Sequence, residues 1–118
     1  MDESKRGGPL KPREFQILLL LGDGARHGWS LVKDLQAQAE DGVRILPGSL
    51  YRTLNHMVEQ GLIAEAPELA TDDEDGRRRY LRLTERGIQV ARVEAERLQE
   101  LLRIARSKSV FFPHGAQA

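Results

Sequence analysis

The sequence contains no cysteine, which excludes disulfide bonds and thiolate metal sites. A chain without disulfides suits a reducing compartment, so we expect a cytoplasmic location. Aromatic residues make up only 5% of the 118 residues, so aliphatic side chains must form most of the hydrophobic core. No secretory signal pattern is visible at the N-terminus. The longest apolar run, Ile17 to Leu21, is far shorter than the roughly 20 residues that cross a bilayer, so we expect no membrane partner.

The chain also lacks a net charge of either sign: 18 basic side chains balance 18 acidic ones, so the formal net charge is zero. A nucleic-acid-binding protein with this balance must segregate its charges locally. The length is enough for one modest hydrophobic core, and hence for one domain.

Helical hydrophobic spacing predicts three short helices over residues 12–21, 28–39 and 47–60. Pro12 and Pro47 suit the first turn of a helix, where the N–H that proline lacks has no partner. Gly61 suits the end of the third helix, because glycine accepts the left-handed conformation. The first helix is apolar on almost every side, so we expect a second subunit to cover part of it. Residues 43–46 are too short for a helix, and we expect a small strand there.

Two further strands are predicted over residues 62–66 and 79–83, the second with clear alternation of apolar and polar side chains. A charged loop joins them and predicts a hairpin with a mobile tip. Thr84 is a suitable N-cap for a last helix over residues 85–106. That helix has an apolar seam with alternating steps of three and four, typical of helices that pair: Ile88, Ala91, Ala95, Leu98, Leu102 and Ala105.

This order of elements is typical of a winged helix-turn-helix protein, mainly α within the α+β class, with a long C-terminal dimerisation helix. We therefore divide the chain into a flexible arm (residues 1–11), a DNA-binding domain (12–84), a dimerisation helix (85–106) and an irregular tail (107–118). The expected dimer interface combines the first helix with the seam: Phe15, Leu18, Ile88, Ala91, Ala95, Leu98 and Leu102.

The third helix is the predicted recognition helix, which such folds place in the major groove. Its polar side offers groups that can bond phosphates or base edges: Ser49, Tyr51, Arg52, Asn55 and His56. Free N–H groups at its start, Pro47 to Ser49, suit a phosphate oxygen. Beside it we expect Arg77, Arg78 and Arg79 at the hairpin stem to reach DNA. An ordinary amphipathic surface helix, and a solvated charge run paired with Asp72 to Asp75, are the plainer alternatives.

Several short motifs stand in a specific order. They are His27-Gly28-Trp29, the stretch from Pro47 to Leu54, Glu59 to Ile63, Arg78 to Thr84, and Gly87. Each is weak alone, but together the sequence resembles the PadR family of bacterial regulators over about residues 12–106. Arg52 departs from the pattern, because proline is common at that position, and no operator sequence can be transferred.

The resemblance implies a homodimeric repressor of the short subfamily, whose last helix crosses to the N-terminal helix of the other subunit. It also implies that Tyr51, Arg52 and the hairpin arginines contact DNA. Some members bind small effectors, and Trp29 is the residue that we expect to line such a pocket. A lone tryptophan that serves only packing is the alternative.

An enzyme is not expected, since no nucleophile constellation, phosphate-binding glycine loop or dinucleotide motif is present. His27, His56 and His114 lack the spacing of metal ligands, so we expect neither a metal nor a cofactor. The remaining alternative function is a winged-helix module for protein–protein interaction without DNA binding. The salt dependence of binding distinguishes the two, because only DNA binding releases counterions.

Overall fold

The computed structural model describes residues 10–39, 44–69 and 79–113. These residues form four α-helices and a small sheet. The helices are α1 (Pro12–Leu20), α2 (Gly28–Gln38), α3 (Pro47–Glu59) and α4 (Glu85–Arg106). The strands are β1 (Arg26–His27), β2 (Ile63–Glu65) and β3 (Tyr80–Leu83). The winged-helix prediction is confirmed, and the four helix ranges agree with the predicted ones to within one residue. The predicted flexible arm lies almost wholly outside the described residues.

The helix ends follow local chemistry. After α1, residues Leu21–Asp23 tighten into a 3-10 turn that stops at Gly24, where φ is 135°. Gly61 follows α3 with φ at 79°, the left-handed conformation that favours glycine. Thr84 caps α4 as predicted: its hydroxyl oxygen accepts from the Gly87 N–H at 2.9 Å. The same hydroxyl donates to the Gly61 carbonyl oxygen at 2.6 Å, so one side chain links the end of α3 to the start of α4.

The sheet differs from the prediction in its third strand. Strand β3 lies in the middle, antiparallel to β2 on one side and to β1 on the other. The strand expected over residues 43–46 is wrong for the described part, residues 44–46, which have no regular structure. There the Ile45 carbonyl oxygen accepts a hydrogen bond from the Gln36 side chain, at 2.8 Å, and not from a strand. The third strand of the sheet is instead β1, which has only two residues, too few for a periodic signal.

The hydrophobic core lies between the first three helices and the inner face of the sheet. Its fully buried members come from α1, α2 and α3 and from strands β2 and β3: Ile17, Leu18, Leu31, Leu50, Leu54, Met57, Ile63 and Leu81. On α3 the buried residues Leu50, Leu54 and Met57 form one apolar stripe, with Val58 packed at its edge. In β3 the alternation places Leu81 in the core and Arg82 in solvent.

Helix α4 packs on this body through its first turns only. Gly87 is buried, and Val90 and Ala91 pack against the core. Beyond them the helix projects outward, so the radius of gyration is 17.0 Å, against about 13.5 Å for a compact chain of this length. Among the described residues, no helix combines the length and the apolar character needed to cross a membrane.

Candidate nucleic-acid interface

Helix α3 separates its apolar and polar sides cleanly. Leu50, Leu54 and Met57 are fully buried, whereas the predicted contact residues Arg52, Asn55 and His56 are exposed. The burial of the stripe fixes the rotation of the helix about its axis, because the core accepts only that side. Three of the five predicted DNA-contacting side chains on α3 therefore face solvent together.

The start of α3 is less open than the sequence indicated. The Ser49 N–H, expected to be free, donates to the Leu46 carbonyl oxygen at 3.0 Å, and the Leu50 N–H donates to the same oxygen at 3.3 Å. Ser49 itself is partly buried. The guanidinium of Arg52 folds back towards this end, with Nη1 at 3.9 Å from the position of a Cβ on Gly48. Positive charge near the first turn of α3 therefore comes from a side chain as well as from the backbone.

Tyr51 lies on the flank of α3 and combines two roles. It is partly buried and packs against the hydrophobic core, so its ring is held by the body of the domain. The sequence assigned it only to the DNA-facing side. A tyrosine fixed in this way can still present a polar tip at the surface.

Arg79 is the junction between α3 and the hairpin. Its guanidinium donates to the Glu65 carboxylate of β2, Nη1 to Oε2 at 2.6 Å, and through Nη2 to the Asn55 side-chain oxygen. Its carbonyl oxygen accepts from the Gly28 N–H at 3.0 Å. Residues of α2, α3 and β2 therefore hold Arg79 in place, directly before the start of β3. The sequence suggested a DNA role for Arg79 but not this position.

A second arginine–carboxylate pair stiffens the outer side of the hairpin. Arg82 of β3 lies 2.5 Å from Glu68, which follows β2. A backbone hydrogen bond and then Arg82 lower the pKa of Glu68 below its usual value, so this carboxylate stays charged to a lower pH than an unpaired glutamate does. The predicted DNA contacts Arg77 and Arg78, and the acidic stretch Asp72 to Asp75, lie outside the described residues.

The residues predicted for the dimer interface fall into two groups. Leu18 is 1% exposed and is covered by its own chain, and Ala91 packs on the core. Ile88, Ala95, Leu98 and Leu102 are exposed, and Phe15 is partly so. Large apolar side chains that the seam did not include are also exposed on α4: Val93, Leu101 and Ile104. The sequence spacing could have identified Leu101 and Ile104, which widen the apolar surface of the outer half of the helix.

Trp29, the candidate effector contact, is not a core residue. It is 52% exposed near the start of α2, and the Lys33 ammonium lies 4.9 Å from its ring centroid. In the described part of the chain, no three histidine, aspartate or glutamate side chains gather as metal ligands. His27 contacts the Tyr80 ring, with 4.1 Å between centroids, which fits a structural place in the sheet.

Comparison with known proteins identifies the fold described above. The sequence profile of the transcriptional regulator PadR-like family matches residues 17–93. The chain belongs to this family. The resemblance seen in the sequence motifs is thereby confirmed, and this PadR-like protein is a DNA-binding transcriptional regulator. No curated protein matches the sequence.

Solved structures with the same fold include other regulators. A PadR family transcription regulator from Clostridium difficile R20291 is 18% identical with a TM-score of 0.67, over 82% of this chain and 97% of that one. A PadR-like transcriptional regulator from Bacillus cereus is 19% identical with a TM-score of 0.62, over 79% of this chain and 86% of that one. The adhesin competence repressor of Streptococcus pyogenes is 21% identical with a TM-score of 0.58, over 92% of this chain and 72% of that one.

Proposed function

We propose that this PadR-like protein is a sequence-specific homodimeric repressor that catalyses nothing. In this proposal α3 enters the major groove, and the stem of the β2–β3 hairpin lies on the neighbouring backbone. The observation that supports it most is the hydrogen bond between Arg79 and Asn55. Because of that bond, the polar side of α3 and the start of the hairpin form one continuous surface.

The proposed DNA contacts divide by chemistry. Arg52 and the hairpin arginines carry the charge that phosphates attract, and exposed Asn55 and His56 have groups suited to base edges. Ser49 and Tyr51 lie at the margins of the same surface, where phosphate contacts are expected. Phosphate contacts fix the register of the helix, and base contacts select the sequence. The full proposed set is Ser49, Tyr51, Arg52, Asn55, His56, Arg77, Arg78 and Arg79.

The proposed homodimer follows from the outer half of α4. Leu98 and Leu102 are 38% and 46% exposed, and Leu101 and Ile104 are similarly open. Exposed apolar surface on this scale is typical of a protein–protein interface. We propose that the partner's α1 and α4 cover it, with Phe15, Ile88, Ala91 and Ala95 at the same contact. Leu18 would then contribute only indirectly, by packing in the core of its own chain below the residues that contact the partner.

The proposed effector contact is Trp29. Its indole face is partly open, and the nearby Lys33 ammonium would attract an anion. A planar aromatic anion would therefore fit both groups. Because Trp29 is the single tryptophan, its fluorescence reports on this place alone. Titration with 1-anilinonaphthalene-8-sulfonate should quench that fluorescence and release bound DNA, and a Lys33→Gln variant should respond more weakly. Unchanged fluorescence would remove Trp29 from the proposal.

The groove assignment can be tested by footprinting. A duplex selected from genomic fragments by the purified protein is cleaved by hydroxyl radicals with and without protein. A homodimer with one α3 per half-site should protect two symmetry-related patches, about one helical turn or a multiple of it apart. In the same reactions, added protein should lower transcription from a promoter that overlaps the site. A single asymmetric patch, or raised transcription, would contradict the dimer or the repressor assignment respectively.

A further inference from the structure

Asn55 occupies the centre of the exposed side of α3, yet one of its two polar atoms is already engaged. The Arg79 guanidinium has N–H donors and no acceptor, so the atom of Asn55 that faces it must be the side-chain oxygen. The amide nitrogen then points away from Arg79, on the exposed side of the helix. The orientation of the amide, which is ambiguous for most asparagines, is therefore fixed here by chemistry.

Arg79 is itself held in place. Its other terminal nitrogen donates to the Glu65 carboxylate at 2.6 Å, and its backbone is anchored to Gly28. A guanidinium fixed by a carboxylate on one side presents a fixed donor on the other. Rotation of the Asn55 amide would bring its NH₂ group against the donors of Arg79, which is repulsive.

We propose that Arg79 draws the Asn55 oxygen towards the hairpin and leaves the NH₂ group as the reader of base edges, so that Asn55 selects guanine, then thymine, at one position of each half-site. This inference depends on the proposed placement of α3 in the major groove. Guanine offers two acceptors there, N7 and O6, and thymine offers O4. Bidentate pairing of asparagine with adenine needs the NH₂ group to donate to N7 and the side-chain oxygen to accept from N6. Arg79 takes one of the two lone pairs of that oxygen and draws it towards the hairpin, so adenine is left with N7 alone as a partner for the NH₂ group. Cytosine offers only a donor, which the NH₂ group repels. Arg79 is thus a positioning residue that sets specificity through Asn55.

The test is selection of bound duplexes from a randomised library by the full-length protein and its variants, at one low salt concentration. Asn55→Ala identifies the position, because the base preference should fall there and at its symmetry mate only. In the wild-type protein that position should favour guanine over adenine by roughly tenfold. Arg79→Met frees the Asn55 oxygen at similar side-chain length, so adenine should rise to match or exceed guanine at that position. Arg79→Lys keeps a donor-only group and should restore part of the guanine preference.

The matched control is Arg82→Met, which makes the same substitution three residues further along the chain and also removes one positive charge. Arg82 pairs with Glu68 and not with Asn55, so its loss should leave the preference unchanged. All variants are compared at equal folded fraction, measured by circular dichroism.

Failure of the inference is distinguishable from failure of the proposed function. If the wild-type protein enriches no sequence, both are lost. If it enriches a sequence that Asn55→Ala leaves unchanged, or that Asn55→Ala weakens uniformly as a phosphate contact would, only the Asn55 assignment is overturned. A wild-type preference for adenine at the Asn55 position, or no change of base in Arg79→Met, overturns the role of Arg79.

Discussion

Gly87, in the first turn of α4, lies directly against the carbonyl group of Leu62. A Cβ at Gly87 would be 2.0 Å from that oxygen and 3.1 Å from its carbon. The same oxygen accepts a hydrogen bond from the Thr84 N–H at 3.2 Å, so it cannot move away freely. The direction in which α4 leaves the domain depends on this contact, because Gly87 is the one residue of α4 that is fully buried among those described.

Replacement of Gly87 by alanine should therefore destabilise the protein. The added methyl group must displace backbone and not a flexible side chain, and overpacking of this kind typically costs about 1–3 kcal/mol. Thermal unfolding at fixed protein concentration should show a melting temperature lowered by several degrees. Gly22→Ala is the matched control, since no atom lies within 4 Å of its Cβ position. Equal melting temperatures for the two variants would contradict the close contact.

Arg52→Ala should lower the affinity for a selected duplex without changing the melting temperature. The side chain is exposed on the polar side of α3, so its removal costs little packing but removes a charge from the proposed DNA surface. If Arg52 contacts a phosphate, the salt slope of binding should fall by about one as well. Arg92→Ala, an exposed arginine on α4, is the control and should bind as the wild type does. Unchanged affinity of Arg52→Ala in a gel-shift assay would refute the contact.

Leu98→Glu combined with Leu102→Glu should give monomers in sedimentation experiments. Both side chains are partly exposed in the single chain, so two carboxylates disturb its own core little but are costly in an apolar interface. Gln89→Glu with Gln99→Glu adds the same charge to exposed α4 positions that are not members of the seam and should remain dimeric. A dimer that persists in the leucine variant would reject the seam as the interface.

Removal of the residues after Lys108 should leave DNA binding intact. The described part of this tail is a turn in which Val110 is 81% exposed, and the Arg106 guanidinium lies 5.3 Å from the Phe112 ring centroid. Nothing in that contact reaches α3 or the hairpin. Truncation removes one exposed cation–π contact, which contributes little energy. Gel-shift titration of the truncated and full-length proteins should therefore give DNA affinities that agree within about twofold. A large loss would show that the tail has a role in binding.

The sequence predicted the helices well because apolar residues recur at helical spacing in them and local residues mark several of their ends. Pro12, Pro47, Gly61 and Thr84 mark helix ends by backbone chemistry that acts locally. Strand β1 was missed because two residues cannot show a period, and its place in the sheet depends on Tyr80 and Leu81, more than fifty residues later. Local signals therefore fix element bounds better than they fix pairing.

The sequence predicted which α3 residues belong to the candidate site but not the contacts between that helix and the hairpin. Hydrophobic periodicity placed Arg52, Asn55 and His56 on one exposed side of α3. It could not reveal that Arg79 holds the Asn55 oxygen, because that contact joins residues 24 apart across two elements. Periodicity also cannot tell an apolar side chain covered by its own chain from one left for a partner. Leu18 and Leu98 looked alike in sequence, but only Leu98 is exposed.

The central claim, that the polar side of α3 binds duplex DNA through charge as well as shape, is tested most directly by the salt dependence of binding. The affinity of the purified protein for a selected genomic duplex is measured at about 50 and 200 mM salt, and the mass of the complex is determined by sedimentation. We expect two chains per duplex and an affinity at least a hundredfold lower at the higher salt, through counterion release. An affinity that does not change with salt, or no binding to any duplex even at the lower salt, would contradict the account and favour a protein-interaction module.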